Sequence, residues 1–296
     1  MSKNKGLTFS VVFRANSLNY GEGTANISEL KKFHRGTGDV YTFASRQSLR
    51  YDIVRLGNQL FDWNLDVVDK AQGVVQFKPD CTIEDSVEMD LFGYMKTKAQ
   101  SGATKRSAVV RLGHAISLEP YRSDLEFLNN MGLATRINED ANLATLEQHV
   151  SLYSYSLTID LSRVGVDGDI ELTNEEKATR IKQLLEIVKL LNREIRGRQE
   201  NLAPLFIIGG MYSVPNPFFQ GRISLEDGNK EKLNVDILKD TINTRVLGEP
   251  IADATRIGYV RGTFANEDEI NEVKQLESIE SFFNYLTGQV NAYYGV

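Results

Sequence analysis

The chain has 296 residues, with 34 Lys and Arg against 40 Asp and Glu and a formal net charge of −6. That length allows one large domain or two small ones, and the acidic balance argues against an evenly basic, non-specific nucleic-acid binder. One cysteine, Cys81, excludes an intramolecular disulfide and suits a reducing compartment. No apolar run approaches the ~20 residues that span a bilayer, and the opening MSKNKGLTF lacks a signal-peptide apolar region. The expectation is a cytoplasmic protein with no membrane contact.

Leu7 to Phe13 (LTFSVVF) alternates and then runs apolar, which predicts a central strand. Asn16 to Phe43 has four glycines and little periodicity, and reads as a long connection carrying Lys31, Lys32, His34 and Arg35. Ser45 is placed to cap a helix running to about Leu56, with Gly57 as its stop. Leu49, Ile53 and Leu56 share one face of that helix, while Arg46 and Arg50, four apart, share another. Arg46 stands where the helix dipole disfavours a cation, so these arginines are better accommodated facing a phosphate than each other. Leu65 to Phe77 predicts a hairpin, or two short strands, around a Gln72-Gly73 turn. Ser151 to Leu161 (SLYSYSLTIDL) alternates as a strand.

Thr173 to Arg196 predicts the clearest helix. It opens on the capping box Thr173-Asn174-Glu175-Glu176, ends at Gly197, and turns Arg180, Lys182, Lys189, Arg193 and Arg196 outward. Leu205 to Ser213 (LFIIGGMYS) reads as a buried strand whose paired glycines mark close approach by another backbone or a ligand. Helices are expected near Val235–Thr244 and Ile279–Tyr293. In order, strand, helix, strands with an insertion over about 79–150, strand, helix and strand follow the ferredoxin-like β-α-β-β-α-β plan, an α+β fold shared with the RNA-recognition module. The whole chain, 1–296, is read as one domain.

The stretch Ser86 to Tyr121 is the most distinctive. MDLFGYM leads into a Ser/Gly/Thr/Lys-rich loop and then KRSAVVRLGHAISLEPY. From Lys96 to Arg122 there are six cations, Lys96, Lys98, Lys105, Arg106, Arg111 and Arg122, against the single acid Glu119. Such an excess needs solvent or an anionic partner. Met89, Leu91, Phe92, Tyr94 and Met95 either pack on their own domain or dock on a neighbouring copy, as a head-to-tail filament requires.

These two blocks, with the strand ending Arg14-Ala15-Asn16 and the helix opening Ser45-Arg46-Gln47-Ser48-Leu49-Arg50, resemble the DevR family. That family comprises the Cas-seven-type backbone subunits of type I-B CRISPR surveillance complexes (Cascade), and the resemblance covers nearly the whole chain. It implies an RRM-like palm with finger-like and thumb-like insertions. It also implies a non-enzymatic scaffold, several copies of which line up along one CRISPR RNA. The guide's spacer is thereby held for pairing with target DNA, and other Cascade subunits cap the filament. Arg14, Asn16, Ser45, Arg46, Gln47, Arg50, Lys105, Arg106 and Arg111 are the expected RNA-binding residues. Met211 is expected either to wedge against a base or to pack in the core. Lys and Arg contacts to phosphate supply affinity without sequence information, which is what a guide scaffold needs.

Little points to catalysis. His34, His114 and His149 lack metal-ligand spacing, there is no phosphate-binding G-x-x-x-x-G-K-[ST] loop, and no cofactor is expected. Asp39 lies in the connection after the first strand, where related type III backbone subunits can carry an RNA-cleaving aspartate. One alternative is therefore a metal-dependent ribonuclease using Asp39, Asp85 and Asp90. Another is a ferredoxin-like regulatory or small-ligand-binding protein.

Overall fold

The computed structural model describes residues 5–23, 25–71, 73–98, 102–227 and 229–296. Its spine is β1 (Gly6–Asn16). Alternation sends Leu7, Phe9, Val11 and Phe13 to one face and Thr8, Ser10 and Val12 to the other, and all seven are buried. The other elements named here are β2 (Lys32–His34), β3 (Val40–Ala44), α1 (Arg46–Phe61), α2 (Val87–Phe92), β4 (Val110–Leu112), β5 (Ala115–Ser117) and β6 (Val150–Asp160), then α3 (Asn174–Lys189), β7 (Phe206–Tyr212), β8 (Arg256–Tyr259), β9 (Leu276–Glu277) and α4 (Ile279–Tyr294).

Among the described residues these nine strands form one sheet in the order β9-β8-β7-β1-β6-β5-β3-β2, and β4 also pairs with β6. β1 is antiparallel to both neighbours, with Phe9 opposite Leu157 on β6 and Gly209 on β7. The three long helices cover one face. Leu49 and Ile53 of α1, Ile181, Leu184 and Val188 of α3, and Phe282, Leu286 and Val290 of α4 join the Leu7/Phe9/Val11/Phe13 face in a single core. On the opposite face Val12, Leu152, Phe206 and Ile208 pack under Phe219, Ile223, Leu233 and Leu238, which all follow β7. Among the described residues no member of β2, β3 or β5 belongs to that second core.

Several sequence expectations need correction. The Asn16–Phe43 connection is largely structured, because β2 and β3 pair as an antiparallel hairpin with Phe33 opposite Tyr41. Gly57 does not stop α1, which continues to Phe61 and turns at Asp62 with φ 55°. An added Cβ at Gly57 would sit 2.2 Å from the Trp63 ring, so that glycine makes room for the indole. α3 ends at Lys189, not Arg196. The rest of its expected length is a hairpin of Asn192–Ile195 with Arg198–Asn201, whose turn is made by Arg196 (φ 50°) and Gly197 (φ 76°). Arg180, expected outward, is buried.

Other expectations match. The Thr173 hydroxyl accepts the Glu176 N–H at 3.2 Å, and the paired glycines of β7 do mark backbone approach. An added Cβ at Gly209 would fall 2.2 Å from the Thr8 carbonyl oxygen, and one at Gly210 would fall 2.0 Å from that of Ala254. Strands Val68–Ala71 and Val74–Phe77 form the expected hairpin, with Gln72 outside the described residues. β4 and β5 fall inside the 79–150 stretch yet belong to the main sheet. The remainder of that stretch includes α2 and two hairpins, Tyr94–Lys98 with Gly102–Arg106 and Asp124–Asn129 with Leu143–Gln148, the second carrying a short helical turn over residues 131–137 between its strands. No helix among the described residues is long and apolar enough to cross a membrane.

Candidate nucleic-acid interface

β3 ends at Ala44 and α1 begins two residues later, so the start of α1 is fixed at one edge of the sheet. Ser45 holds that junction. Its hydroxyl accepts the Ser48 N–H at 3.2 Å, and its own N–H donates to Asn19 Oδ1 at 3.1 Å. The next N–H, that of Arg46, donates to Nδ1 of His114 at 3.2 Å and so ties the β4–β5 connection to the helix start. Burial lowers the His114 pKa, with the charges of Arg46 and Lys31 adding to the effect. A neutral imidazole with a free Nδ1 lone pair is the form that this bond requires.

A cavity of about 410 Å³ opens against this junction, lined by Arg46, Gln47, Arg50, Phe92, Ala108, Val110, Arg111 and Leu112. The fold thus brings together four of the ten expected RNA-binding residues, Arg46, Gln47 and Arg50 from α1 and Arg111 from β4. Arg46 and Arg111 are exposed, and neither guanidinium has an acidic partner within 4.0 Å among the described residues. Arg50 is partly committed. It holds Glu88 of α2 through two hydrogen bonds, of 3.2 and 2.6 Å, and lies 5.3 Å from the Phe92 ring centroid. The first turn of α1 carries no acid, so its dipole and two free guanidinium groups favour an anion in the same place.

The other expected residues lie elsewhere. Arg14 is exposed on β1 opposite Leu152 and does not line this cavity. Asn16 is engaged by its own neighbours, its N–H donating to Glu200 at 2.9 Å and its carbonyl accepting from Arg198 at 3.1 Å. Lys105 is exposed on the Tyr94–Arg106 hairpin, opposite Met95, and residues 99–101 at the tip of that basic loop lie outside the described residues. Arg106 is a correction, because its side chain is only 3% exposed and therefore offers nothing to a phosphate. It pairs with Asp90 at 2.7 Å and donates to the carbonyls of Asp90, Arg163 and Val166. Met211 is buried in the core on the helix side of the sheet, the packing alternative.

Lys96 also leaves the basic tally, since its ammonium is folded onto the carbonyls of Cys81 at 2.6 Å and Pro79 at 3.3 Å. Met89, Leu91 and Phe92 of MDLFGYM are buried in their own domain, and of that run only Met95 is largely exposed.

The carboxylates considered for nuclease chemistry stand in separate environments. Asp90 is buried between Arg106 and Arg180, Asp85 accepts the Thr82 N–H at 2.7 Å, and Asp39 sits in the β2–β3 turn near Thr37. Among the described residues no three His, Cys, Asp or Glu side chains are placed to share a metal ion.

Sequence reasoning missed an aromatic cluster beside the cavity. Phe33 of β2 stacks on Phe43 of β3 with centroids 4.0 Å apart and planes 14° from parallel. The His114 ring meets both edge-on, at 5.8 and 5.2 Å. Arg35 lies 4.6 Å from the Tyr41 ring centroid on the same hairpin. The signal was present as the alternation of KKFHR with VYTF, masked by the glycines between them.

No curated protein matches the chain in sequence. Among the solved structures that share its fold are two described as CRISPR RNA-guided surveillance complexes. A chain of one, in a pre-nicking state, aligns with a TM-score of 0.61 at 11% identity, covering 96% of this chain and 100% of its own length. A chain of the other aligns with a TM-score of 0.56 at 14% identity, covering 97% and 99%. The profile of the family described as the CRISPR-associated negative auto-regulator DevR/Csa2 matches residues 7–232. With the start of α1 and most of the length inside that match, this chain belongs to the DevR/Csa2 family.

Proposed function

We propose that this chain is a non-catalytic RNA-binding backbone subunit of a type I-B Cascade complex. Copies of it assemble along one CRISPR RNA, beside other Cascade subunits, and present the spacer for pairing with target DNA. The palm is read as ferredoxin-like. The antiparallel order β7-β1-β6-β5, with α1 between β1 and β5 in the chain and α3 joining β6 to β7, is what that plan requires. The insertion over about 79–150, with its two hairpins, is read as finger-like, and the protein as cytoplasmic.

The observation that carries this reading is the cavity where Arg46 and Arg111, without acidic partners among the described residues, face the start of α1. Two cations, a helix dipole and the Gln47 amide suit a phosphodiester backbone and carry no base code. That indifference fits a protein whose specificity is supplied by its guide.

The first test is purification from a nucleic-acid-rich host at moderate salt, followed by the absorbance ratio at 260 and 280 nm and extraction of bound RNA. Protected RNA in lengths that step by a constant increment, on an elongated oligomer, is the expected result. Arg46→Glu with Arg111→Glu is expected to abolish RNA retention while leaving the unfolding midpoint unchanged. Clean, monomeric, RNA-free wild-type protein would overturn the reading and leave the small-ligand alternative in front.

A further inference from the structure

The face of the sheet away from the helices is only half covered. Residues after β7 pack over β1, β6 and β7 on that side, and their core takes in none of the described residues of β2, β3 or β5. The cross-strand register puts aromatic rings on the part left open. Ile116 lies opposite both Phe43 and Ser154, and Phe33 opposite Tyr41, so Phe33, Tyr41, Phe43 and Ile116 share this face. Phe33 is 39% exposed although one side of its ring is stacked on Phe43. A two-ring stack with an open outer side, on the edge hairpin of a sheet, contributes little to the core that lies beneath the helices.

The ionised neighbours acting on His114, which buttresses both rings, are Arg46 and Lys31, and no acid is among them. Arg35 borders the rings over Tyr41. On the other side of His114, Arg35, Ser154, Ser156 and Gln220 line a cleft of about 200 Å³. The Leu112-Gly113-His114 connection separates this cleft from the Arg46/Arg111 cavity, because Leu112 lines one and Gly113 and His114 the other. A chain of phosphates leaving the cavity therefore reaches an aromatic surface flanked by cations within one short connection.

We propose that an unpaired nucleobase of the bound RNA stacks on the outer face of Phe33, with Phe43 and His114 supporting the ring from behind and Arg35 and Lys31 taking the flanking phosphates. This rests on the RNA-binding reading and assigns a base-contacting role to a hairpin outside the helix-start cavity. Stacking accepts any base, since every base has a π face, so the platform adds affinity without adding a sequence preference. Its single open face selects single-stranded RNA, because bases inside a duplex are already stacked on both sides.

The test uses the full-length protein and RNA oligonucleotides of arbitrary sequence, each carrying 2-aminopurine at one position of a scanned series. In wild type the fluorescence of 2-aminopurine is expected to be quenched at one position or at a regular subset. Phe33→Ala is expected to restore that fluorescence and to weaken binding roughly 5- to 100-fold, while Phe33→Tyr keeps both the quenching and the affinity. Comparing unfolding midpoints separates loss of the platform from loss of the fold. Wild-type binding with no position-dependent quenching, or a Phe33→Ala protein with unchanged quenching and affinity, would overturn the platform and leave the RNA-binding function standing. No RNA binding by wild type would overturn both.

Discussion

Asp90→Ala is expected to be among the most destabilising single changes in this chain. Asp90 is fully buried, its carboxylate 2.7 Å from Arg106 and 3.0 Å from Arg180, whose side chains are 3% and 4% exposed. The same carboxylate accepts the Gly165 N–H at 3.0 and 3.1 Å, so it joins α2, α3, the Tyr94–Arg106 hairpin and the turn after β6. Removing it leaves two guanidinium groups buried together. Arg106 keeps carbonyl acceptors and Arg180 keeps the Ile83 carbonyl and Glu176, which offsets part of the loss. Breaking one side of a buried charge cluster costs about 3–5 kcal/mol. For a chain of 296 residues, the average unfolding entropy converts that cost into a fall of roughly 5–8 °C in Tm. Urea titration of wild type and Asp90→Ala, with Arg46→Ala as an exposed control expected to stay within about 0.5 kcal/mol, is the assay. A loss under about 1 kcal/mol with an unchanged m-value would show that the two arginines find water or new carbonyls, and would refute the argument.

Other outcomes follow from particular contacts. Gly57→Ala drives a methyl into the Trp63 ring and is expected to lower stability by about 1–3 kcal/mol, read from the same titration. Among the described residues the buried Tyr155 hydroxyl has no hydrogen-bond partner, so Tyr155→Phe is expected to raise the unfolding midpoint by the equivalent of about 1 kcal/mol. Burial holds the pKa of both His114 and His149 below the ordinary value of 6.5. The unfolded chain therefore takes up protons first, and stability is expected to fall as pH drops through about 6.5 and to level off below the folded-state values. Denaturation midpoints at about pH 8, 6.5 and 5 check the sign, and His149→Gln should flatten the profile. If Arg46 and Arg111 each neutralise one phosphate, converting both to alanine should reduce the slope of log K against log salt by about 1.4 for single-stranded RNA, measured by fluorescence anisotropy.

The sequence by itself determined what depends on local periodicity and on capping chemistry. The alternation of β1 and β6, the Ser45 and Thr173 caps and the C-terminal helix were all readable because neighbouring residues set them. So was the order of elements that the family resemblance also implied. The sequence likewise marked Arg46 and Arg50 as candidate phosphate contacts, because their type and place at the helix start suggest it, but it set them among ten candidates that only the folded chain sorts.

Tertiary structure alone decided which charges are free. Lys96, Arg106 and Arg180 look like surface cations in a list, yet each is buried against carbonyls or Asp90 across separations of 15 to 97 residues. Charge pairing depends on distances that local pattern does not encode. Gly57 and Gly197 show the same limit from the backbone side. One is a glycine because the Trp63 ring, six residues on and folded back over the helix end, needs the space, the other because a hairpin turns there, and helix-stop statistics treat them alike. Only the folded sheet brought Phe33 and Phe43 into a stack. They lie ten residues apart in a glycine-rich stretch, and their common face exists only once β2 pairs with β3.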